Sequence, residues 1–368
     1  MRTFVRASAP LAAKTLDAKW YLDPAVFTAE QDKVFARDWV AVGRSEQLRA
    51  PGDFFTAQVA GESLIVTRDK AGELHAFYNV CRHRGTRLCT QESGTLKAGI
   101  QCPYHAWTYA LDGELLAARN MDGTPGFERS EYPLRSAHLA DFDGFLFAAL
   151  DPLQTFDAFI APLRGRFKAW TGGTLRLAKR IEYSLQCNWK LVFQNYSECY
   201  HCPVIHPQLE KLSASDSGLN DLSEGPFLGG YSTLRTKETS LTTTGRSSRD
   251  ALPGVSGEEC ERVYYYTIFP SLLLSLHPDY VMAHFVHPVS PAQTAVTCEW
   301  YFDAAAVESR GFDASDAVDF WDLTNRQDWR VNELTQLGIA SRAYTPGPYS
   351  QQEGLLHAFD RHYLSRMG

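Results

Sequence analysis

The 368-residue sequence predicts an α+β protein: a small antiparallel β domain followed by a larger domain in which helices pack on an antiparallel sheet. Three observations lead there. Residues 54–80 read as short β-rich runs, FFTAQV, SLIVTR and LHAFYNV, broken by turns such as DKAGE. That texture continues through AWTYALDGELL and GFLFAAL and stops near DPLQTFDAFIAPL, which sets a boundary near residue 155. Beyond it, strand-like runs such as RVYYYTIFPSLLLSLH and YVMAHFVHPVS alternate with two helical stretches, expected at about Trp189–Tyr200 and Ala314–Leu337.

In chain order, Val26, Phe27, Val34, Phe35 and Trp39 recur at helical spacing with charges between them. They predict an N-terminal helical segment within residues 1–40 that packs on the larger domain. Residues 41–155 form the small β domain and 156–368 the larger one. Within the latter, residues 212–260 are rich in Ser, Thr and Gly and poor in bulky apolar residues, the composition of a mobile loop or lid.

Composition excludes several classes. With 44% hydrophobic and 21% charged residues the chain can bury a core. A formal charge of −7 without a Lys/Arg run argues against nucleic acid. No apolar run reaches the roughly 18 residues of a membrane span. The basic, small-residue start lacks the apolar stretch of a secretory signal, so the expected location is cytoplasmic. In that compartment clustered cysteines mean metal or catalysis more often than disulfides. The scattered Cys187, Cys260 and Cys298 read as buried thiols.

The first cluster lies in CRHRGTRLCTQESGTLKAGIQCPYHAWTY, residues 81–109. Cys81 pairs with His83 as Cys-x-His, and Cys102 with His105 as Cys-x2-His, with 18 residues between the pairs. Two thiolates and two imidazoles suit either tetrahedral zinc or a [2Fe-2S] cluster with two Cys on one iron and two His on the other. Structural zinc usually pairs like with like, whereas here each loop mixes Cys with His, the arrangement of a Rieske cluster. Cys89 breaks the spacing and reads as a structural thiol.

The second cluster lies in NWKLVFQNYSECYHCPVIHPQL, residues 188–209. Glu198 and His201, three apart, are expected on one face of a helix that Pro203 ends, with His206 in the turn beyond. Two imidazoles and a distant carboxylate make a facial triad for non-heme Fe(II) that leaves positions open. An isolated pair of histidines at this spacing reads equally as a solvated helix end. In DASDAVDFWDLTNRQDWRVNELTQLG, Asp322 has Arg326 four residues on, an ordinary ion pair, and Asp313, Asp316 and Asp319 read as solvated charges. Asp328 shares its face with Trp321 and Asn325 and has no cation at that spacing, so it is the candidate acid.

From about Lys19 to Tyr363 the chain resembles the large subunit of Rieske non-heme iron oxygenases, on the motifs CRHRG…CPYHAW and NWK…ECYHCPVIHP. The resemblance implies a Rieske domain at 41–155 and a mononuclear-iron catalytic domain at 156–368. It implies His201, His206 and Asp328 as iron ligands. It makes Glu198 the bridge to a neighbouring subunit's Rieske histidine, here His105, with Asn195 a further catalytic candidate. It also implies a head-to-tail ring, usually a trimer. Glu198 stands where the family often has Asp, which resembles the branch that oxidises quaternary ammonium compounds.

The sequence lacks a Gly-x-Gly-x2-Gly dinucleotide turn, so a separate NAD(P)H-dependent reductase of flavin or ferredoxin type is expected. Tyr264, Tyr266 and Phe269 are the candidate substrate residues, as a cation-π cage or equally as sheet core. Three functions follow from these readings: hydroxylation next to the nitrogen of a quaternary amine, with N-dealkylation or C–N cleavage; oxygenation of an aromatic ring or aryl methyl group; or electron carriage without catalysis.

Overall fold

The computed structural model describes residues 2–368. It divides into two compact units, one made of residues up to Glu30 with Leu163–Gly368, the other of Gln31–Pro162. The small unit therefore runs from 31 to 162 rather than from 41 to 155. The amphipathic pattern of residues 24–39 explains the shift, because it is not one helix. Helix α1 (Pro24–Glu30) gives way to a π-helical turn at Gln31–Phe35, and Val34 and Phe35 are buried. Trp39 then packs edge-on against Phe156, ring centroids 4.9 Å apart, and donates its indole N–H to the Gln154 carbonyl. The chain on both sides of residue 155 is thus held within the small unit.

The small unit contains β1 (Val40–Arg44), β2 (Asp53–Val59), β3 (Glu62–Arg68), β4 (Leu74–Tyr78) and β5 (Ser93–Thr95). It continues with β6 (Ile100–Gln101), β7 (Thr108–Tyr109), β8 (Leu115–Ala117), β9 (Ser136–Phe142) and β10 (Phe145–Ala149). Seven of these form one sheet in the order β1-β10-β9-β4-β3-β2-β5, and β6-β7-β8 form a second. Each pairing is antiparallel. The β-branched run of β3 is buried along its length, as befits a central strand. The first cysteine–histidine loop leaves β4, and the second joins β6 to β7.

The larger unit is built on a second seven-stranded antiparallel sheet. Its strands are β11 (Leu175–Leu185), β12 (Leu219–Glu224), β13 (Phe227–Thr233), β14 (Arg262–Ile268), β15 (Leu272–Leu276), β16 (Val281–Ser290) and β17 (Gln293–Asp303). Their order is β11-β17-β16-β15-β14-β13-β12. The same unit contains α2 (Trp189–Tyr196), α3 (Cys202–Ile205), α4 (Pro207–Leu212), α5 (Ser315–Ile339) and α6 (Gly354–Met367). No described helix is long and apolar enough to cross a membrane.

Residues 212–260 are not a free lid. They contain the β12–β13 hairpin, and the polar residues that suggested mobility instead satisfy a buried acid. Ser240, Ser247 and Arg249 all bond to Asp279, while Arg249 also pairs with Asp316 at 2.7 Å. Asp316 is therefore an anchor rather than a solvated charge. Asp322 does pair with Arg326, at 2.9 Å, and also accepts the Tyr183 hydroxyl.

Helix α2 is fixed by a buried charge pair. Glu30, at the end of α1, and Lys190 are both fully buried, with Lys190 Nζ 2.5 Å from Glu30 Oε1. The Tyr363 hydroxyl donates to the same oxygen at 2.6 Å, and the Trp189 indole donates to Oε2 at 3.0 Å. Removing one partner leaves an uncompensated charge in the core. Glu30→Ala or Lys190→Met alone should cost about 3–5 kcal/mol, and the apolar double substitution should cost less than either. Urea midpoints of the three variants check this, and a double variant less stable than both singles would refute it.

Candidate active site

In the small unit, two loops repeat the same backbone pattern. Cys81 N–H bonds to the Thr86 carbonyl and the Gly85 N–H returns to Cys81 O. Cys102 N–H bonds to the Trp107 carbonyl and the Ala106 N–H returns to Cys102 O. The fifth residue of each turn lies in the left-handed region, Gly85 at φ +76° and Ala106 at φ +58°. Glycine adopts that conformation freely, whereas for Ala106 it costs about 1 kcal/mol. The turns place two cysteines below and two histidines above: Cys81 and Cys102 are buried, while His83 is exposed and His105 half-buried. The imidazole rings are 4.7 Å apart, and the two thiols are close enough to interact.

The Tyr109 hydroxyl reaches Cys81 Sγ at 3.3 Å and accepts from the Arg82 N–H, so one sulfur already has its outer hydrogen bond. Trp107 stacks on His83 within 6° of parallel. Cys89 belongs to a different environment. Asn79 holds its backbone on both sides, and burial pushes its thiol up to about 11, the behaviour of an inert core cysteine.

The second site follows α2. The helix stops at Tyr196, and Glu198 and His201 lie in the turn beyond it, not on a helical face. They meet nonetheless, with Glu198 Oε1 2.5 Å from His201 Nδ1. Pro203 starts the next helix instead of ending the previous one. It occupies the first turn of α3, where its missing N–H would have no partner in any case. A Cys199–Cys202 disulfide closes this turn, a pairing not foreseen in the sequence.

Asp328 comes to this turn from the middle of α5. Its Oδ1 lies 2.8 Å from His206 Nε2 and 3.3 Å from His201 Nε2, and one ligand atom from each of the three residues falls within 4.8 Å of the others. Both histidines are held from behind at Nδ1, His201 by Glu198 and His206 by Gln327 Oε1 at 2.8 Å. That fixes both Nε2 atoms toward the acid, the orientation of metal-bound imidazoles. Burial would pull the His201 imidazole down, but its bonds to Asp328 and Glu198 push it up to about 10. Burial opposes ionisation of Asp328 as well, and its bonds to the two histidines hold its carboxyl below the usual range. A divalent cation would satisfy the same three groups by displacing protons. Two imidazoles, one carboxylate and an open side fit ferrous iron.

That side opens into a cavity with about 1190 Å³ of empty space, its mouth included. Asn195, Glu198, His201, His206 and Asp328 line it, together with Tyr196, Tyr265 and Trp321. Tyr265 stands 6.0 Å from Tyr196 and 6.4 Å from Trp321, centroid to centroid. The hydroxyl of Tyr196 and the indole N–H of Trp321 are bonded away into the core, to Ser275 and Tyr280. At Gly229 (φ +142°) a Cβ would meet the Tyr265 carbonyl oxygen at 2.0 Å, so this wall requires glycine.

The three substrate candidates are elsewhere. Alternation along β14 turns Tyr264 and Tyr266 to the face opposite Tyr265, where they pack on Trp170 and Phe167. Phe269 lies beyond the strand among Trp189, Phe359 and His362. The sequence also left out Gln327, whose only signal is its place beside Asp328. Gln327→Leu should weaken ferrous binding about 10- to 100-fold, with the small unit's visible spectrum unchanged. Metal titration followed by calorimetry reads this, and unchanged affinity would remove Gln327 from the site.

Comparison with known proteins matches each unit to a family. Residues 38–128 match the Rieske [2Fe-2S] domain, and residues 173–368 match the ring hydroxylating alpha subunit (catalytic domain). The glycine betaine monooxygenase oxygenase subunit of Pseudomonas aeruginosa is 31% identical, over 96% of this chain and 89% of its own. The chloroplastic choline monooxygenase of Arabidopsis thaliana is 28% identical, over 94% and 81%. A solved quaternary ammonium Rieske monooxygenase, described in terms of carnitine oxidation by gut microbiota and inter-subunit electron transfer, superposes with a TM-score of 0.84. It shares 26% identity and covers 97% of this chain and 96% of that one.

Proposed function

This chain belongs to the ring hydroxylating alpha subunits, Rieske oxygenases with a [2Fe-2S] cluster and a mononuclear iron, and we propose that it oxidises a quaternary ammonium compound at a carbon bonded to nitrogen. The observation that carries this reading is the cavity itself. Three aromatic rings, Tyr196, Tyr265 and Trp321, and two acids, Glu198 and Asp328, line the space beside the histidines. Aromatic faces attract a methylated ammonium by cation-π interaction, worth about 0.5–2 kcal/mol per contact. The relatives named for glycine betaine, choline and carnitine support the same class.

In this reading Cys81, His83, Cys102 and His105 hold the cluster, and His201, His206 and Asp328 hold the iron. When bound, the cluster supplies single electrons and the iron supplies the site of reductive dioxygen activation. The chain's own residues do the rest. Glu198 and Gln327 keep each Nε2 directed at the metal position, and Tyr265 and its neighbours hold the cation beside it. Asn195 lines the same space as a polar contact. One oxygen atom enters the C–H bond, and the other leaves as water with two electrons and two protons. The hydroxylated carbon then parts from nitrogen, which keeps the bonding pair. The hydroxyl proton is released, leaving an aldehyde and a smaller amine.

The electrons come from a separate NAD(P)H-dependent reductase of flavin or ferredoxin type, in the cytoplasm. We assign the working state to a ring, a trimer in this reading, in which Glu198 faces His105 of the partner subunit. Within one chain the first half of that bridge is the Glu198–His201 contact at 2.5 Å.

Oxygen uptake with a reductase, run against betaines, carnitine-like amines and aromatic acids, is the direct test. Aldehyde should appear in stoichiometry with substrate loss. A hydroxylated aromatic product would keep both metal centres and replace the substrate class. His201→Ala should abolish turnover and iron content while leaving the cluster spectrum intact; a bleached spectrum would show that the two centres are wrongly divided. Glu198→Gln should retain both metals but slow transfer between them, and a normal single-turnover rate would remove the bridging role.

A further inference from the structure

The cavity is electrically two-ended, and its second end is unexplained by a quaternary ammonium alone. Among the residues lining it, Arg6 supplies the only Lys or Arg side chain. Arg6 is exposed, whereas His206 at the other end is 2% exposed, so the cation stands at the mouth and the iron trio at the floor.

The N-terminal segment is fixed there by backbone bonds. Val5 and Asn220 exchange both N–H···O bonds at 2.9 and 2.7 Å, which adds the segment to the edge of β12. The Ala7 N–H donates to Asn220 Oδ1 at 3.0 Å. Behind it, a Cβ on Gly354 would meet the Ala7 backbone at 2.5 Å, so the start of α6 closes directly on this strand. The Arg6 guanidinium donates to the backbone carbonyl of Asp216 and forms no ion pair among the described residues. Arg6 lines the cavity together with Ser215 and Asn220, so a charge without an ion-pair partner among the described residues stands at its mouth.

We propose that Arg6 anchors a carboxylate, so that the substrate is a zwitterion carrying a quaternary ammonium against the aromatic wall and a carboxylate at the mouth. This rests on the quaternary ammonium reading and narrows it. The relatives include enzymes named for carboxylated and for uncarboxylated amines, so likeness does not choose between them. The guanidinium fork matches a carboxylate in two parallel hydrogen bonds, which neither an alcohol nor a neutral end group reproduces.

Calorimetric binding to the holoenzyme tests this with three probes: trimethylglycine, choline, and the carboxylate in which a tert-butyl group replaces trimethylammonium. Trimethylglycine should bind at least about tenfold more tightly than choline. Arg6→Gln should weaken trimethylglycine by about tenfold to a hundredfold while leaving choline unchanged, and Arg6→Lys should recover part of the loss. If Arg6→Gln leaves trimethylglycine unchanged, or weakens choline equally, the anchor is overturned even where the ammonium reading stands. If the tert-butyl carboxylate binds as tightly as trimethylglycine and Arg6→Gln weakens both, the anchor stands and the ammonium reading falls. Binding of none of the three overturns both.

Discussion

The larger unit is organised around a carboxylate that water never reaches. Glu30 is fully buried, and Lys190, Trp189 and Tyr363 surround its carboxyl with donors from two other helices. An isolated buried carboxylate would be prohibitively expensive, so these three contacts are obligatory rather than decorative. They hold the first turn of α2 against α1 and α6. The turn that follows the same helix carries Glu198 and His201, which meet at 2.5 Å. Further bonds from Gln194 to Tyr21 and Asp360 fix the middle of the helix in the same manner.

What α2 positions, α5 completes. The candidate metal trio joins two histidines from a short turn to an aspartate from a helix more than a hundred residues later, and each imidazole is steered by an acceptor behind it. Orientation comes from hydrogen bonds, and room for substrate comes from missing atoms. Gly229 removes a side chain where a Cβ would collide with the Tyr265 backbone. Tyr196 and Trp321 send their polar ends into the core, so they present ring surface rather than hydroxyl or N–H to the cavity. The wall that results is apolar beside His201, His206 and Asp328.

The small unit reaches the same end by repetition. Two turns with identical backbone bonds place buried sulfur below imidazole, and the left-handed fifth residue of each is what makes the turn tight enough. In the first turn it is glycine. In the second it is alanine, a strain that the surrounding sheet and the Tyr109 and Trp107 packing must offset.

Local chemistry was legible in the sequence alone. The mixed Cys/His spacing, the two histidines after NWK, Asp328 as the acid free of a cation partner, the runs that became strands and the Asp322–Arg326 pair all depend on residues close in the chain. Only the tertiary structure decided matters of direction and distance. Tyr265 rather than Tyr264 or Tyr266 faces the cavity, because alternation fixes which residues share a face but not which face meets the site. Residues 212–260 are packed because their hydroxyls and Arg249 find a buried Asp279 that no local pattern announces. Helix α2 ends at Tyr196, and Glu198 meets His201 through a turn closed by the Cys199–Cys202 disulfide, because the chain changes direction there. Arg6 becomes a cavity residue only through pairing with Asn220, more than two hundred positions away. A sequence records which groups are available; folding sets which of them share a space.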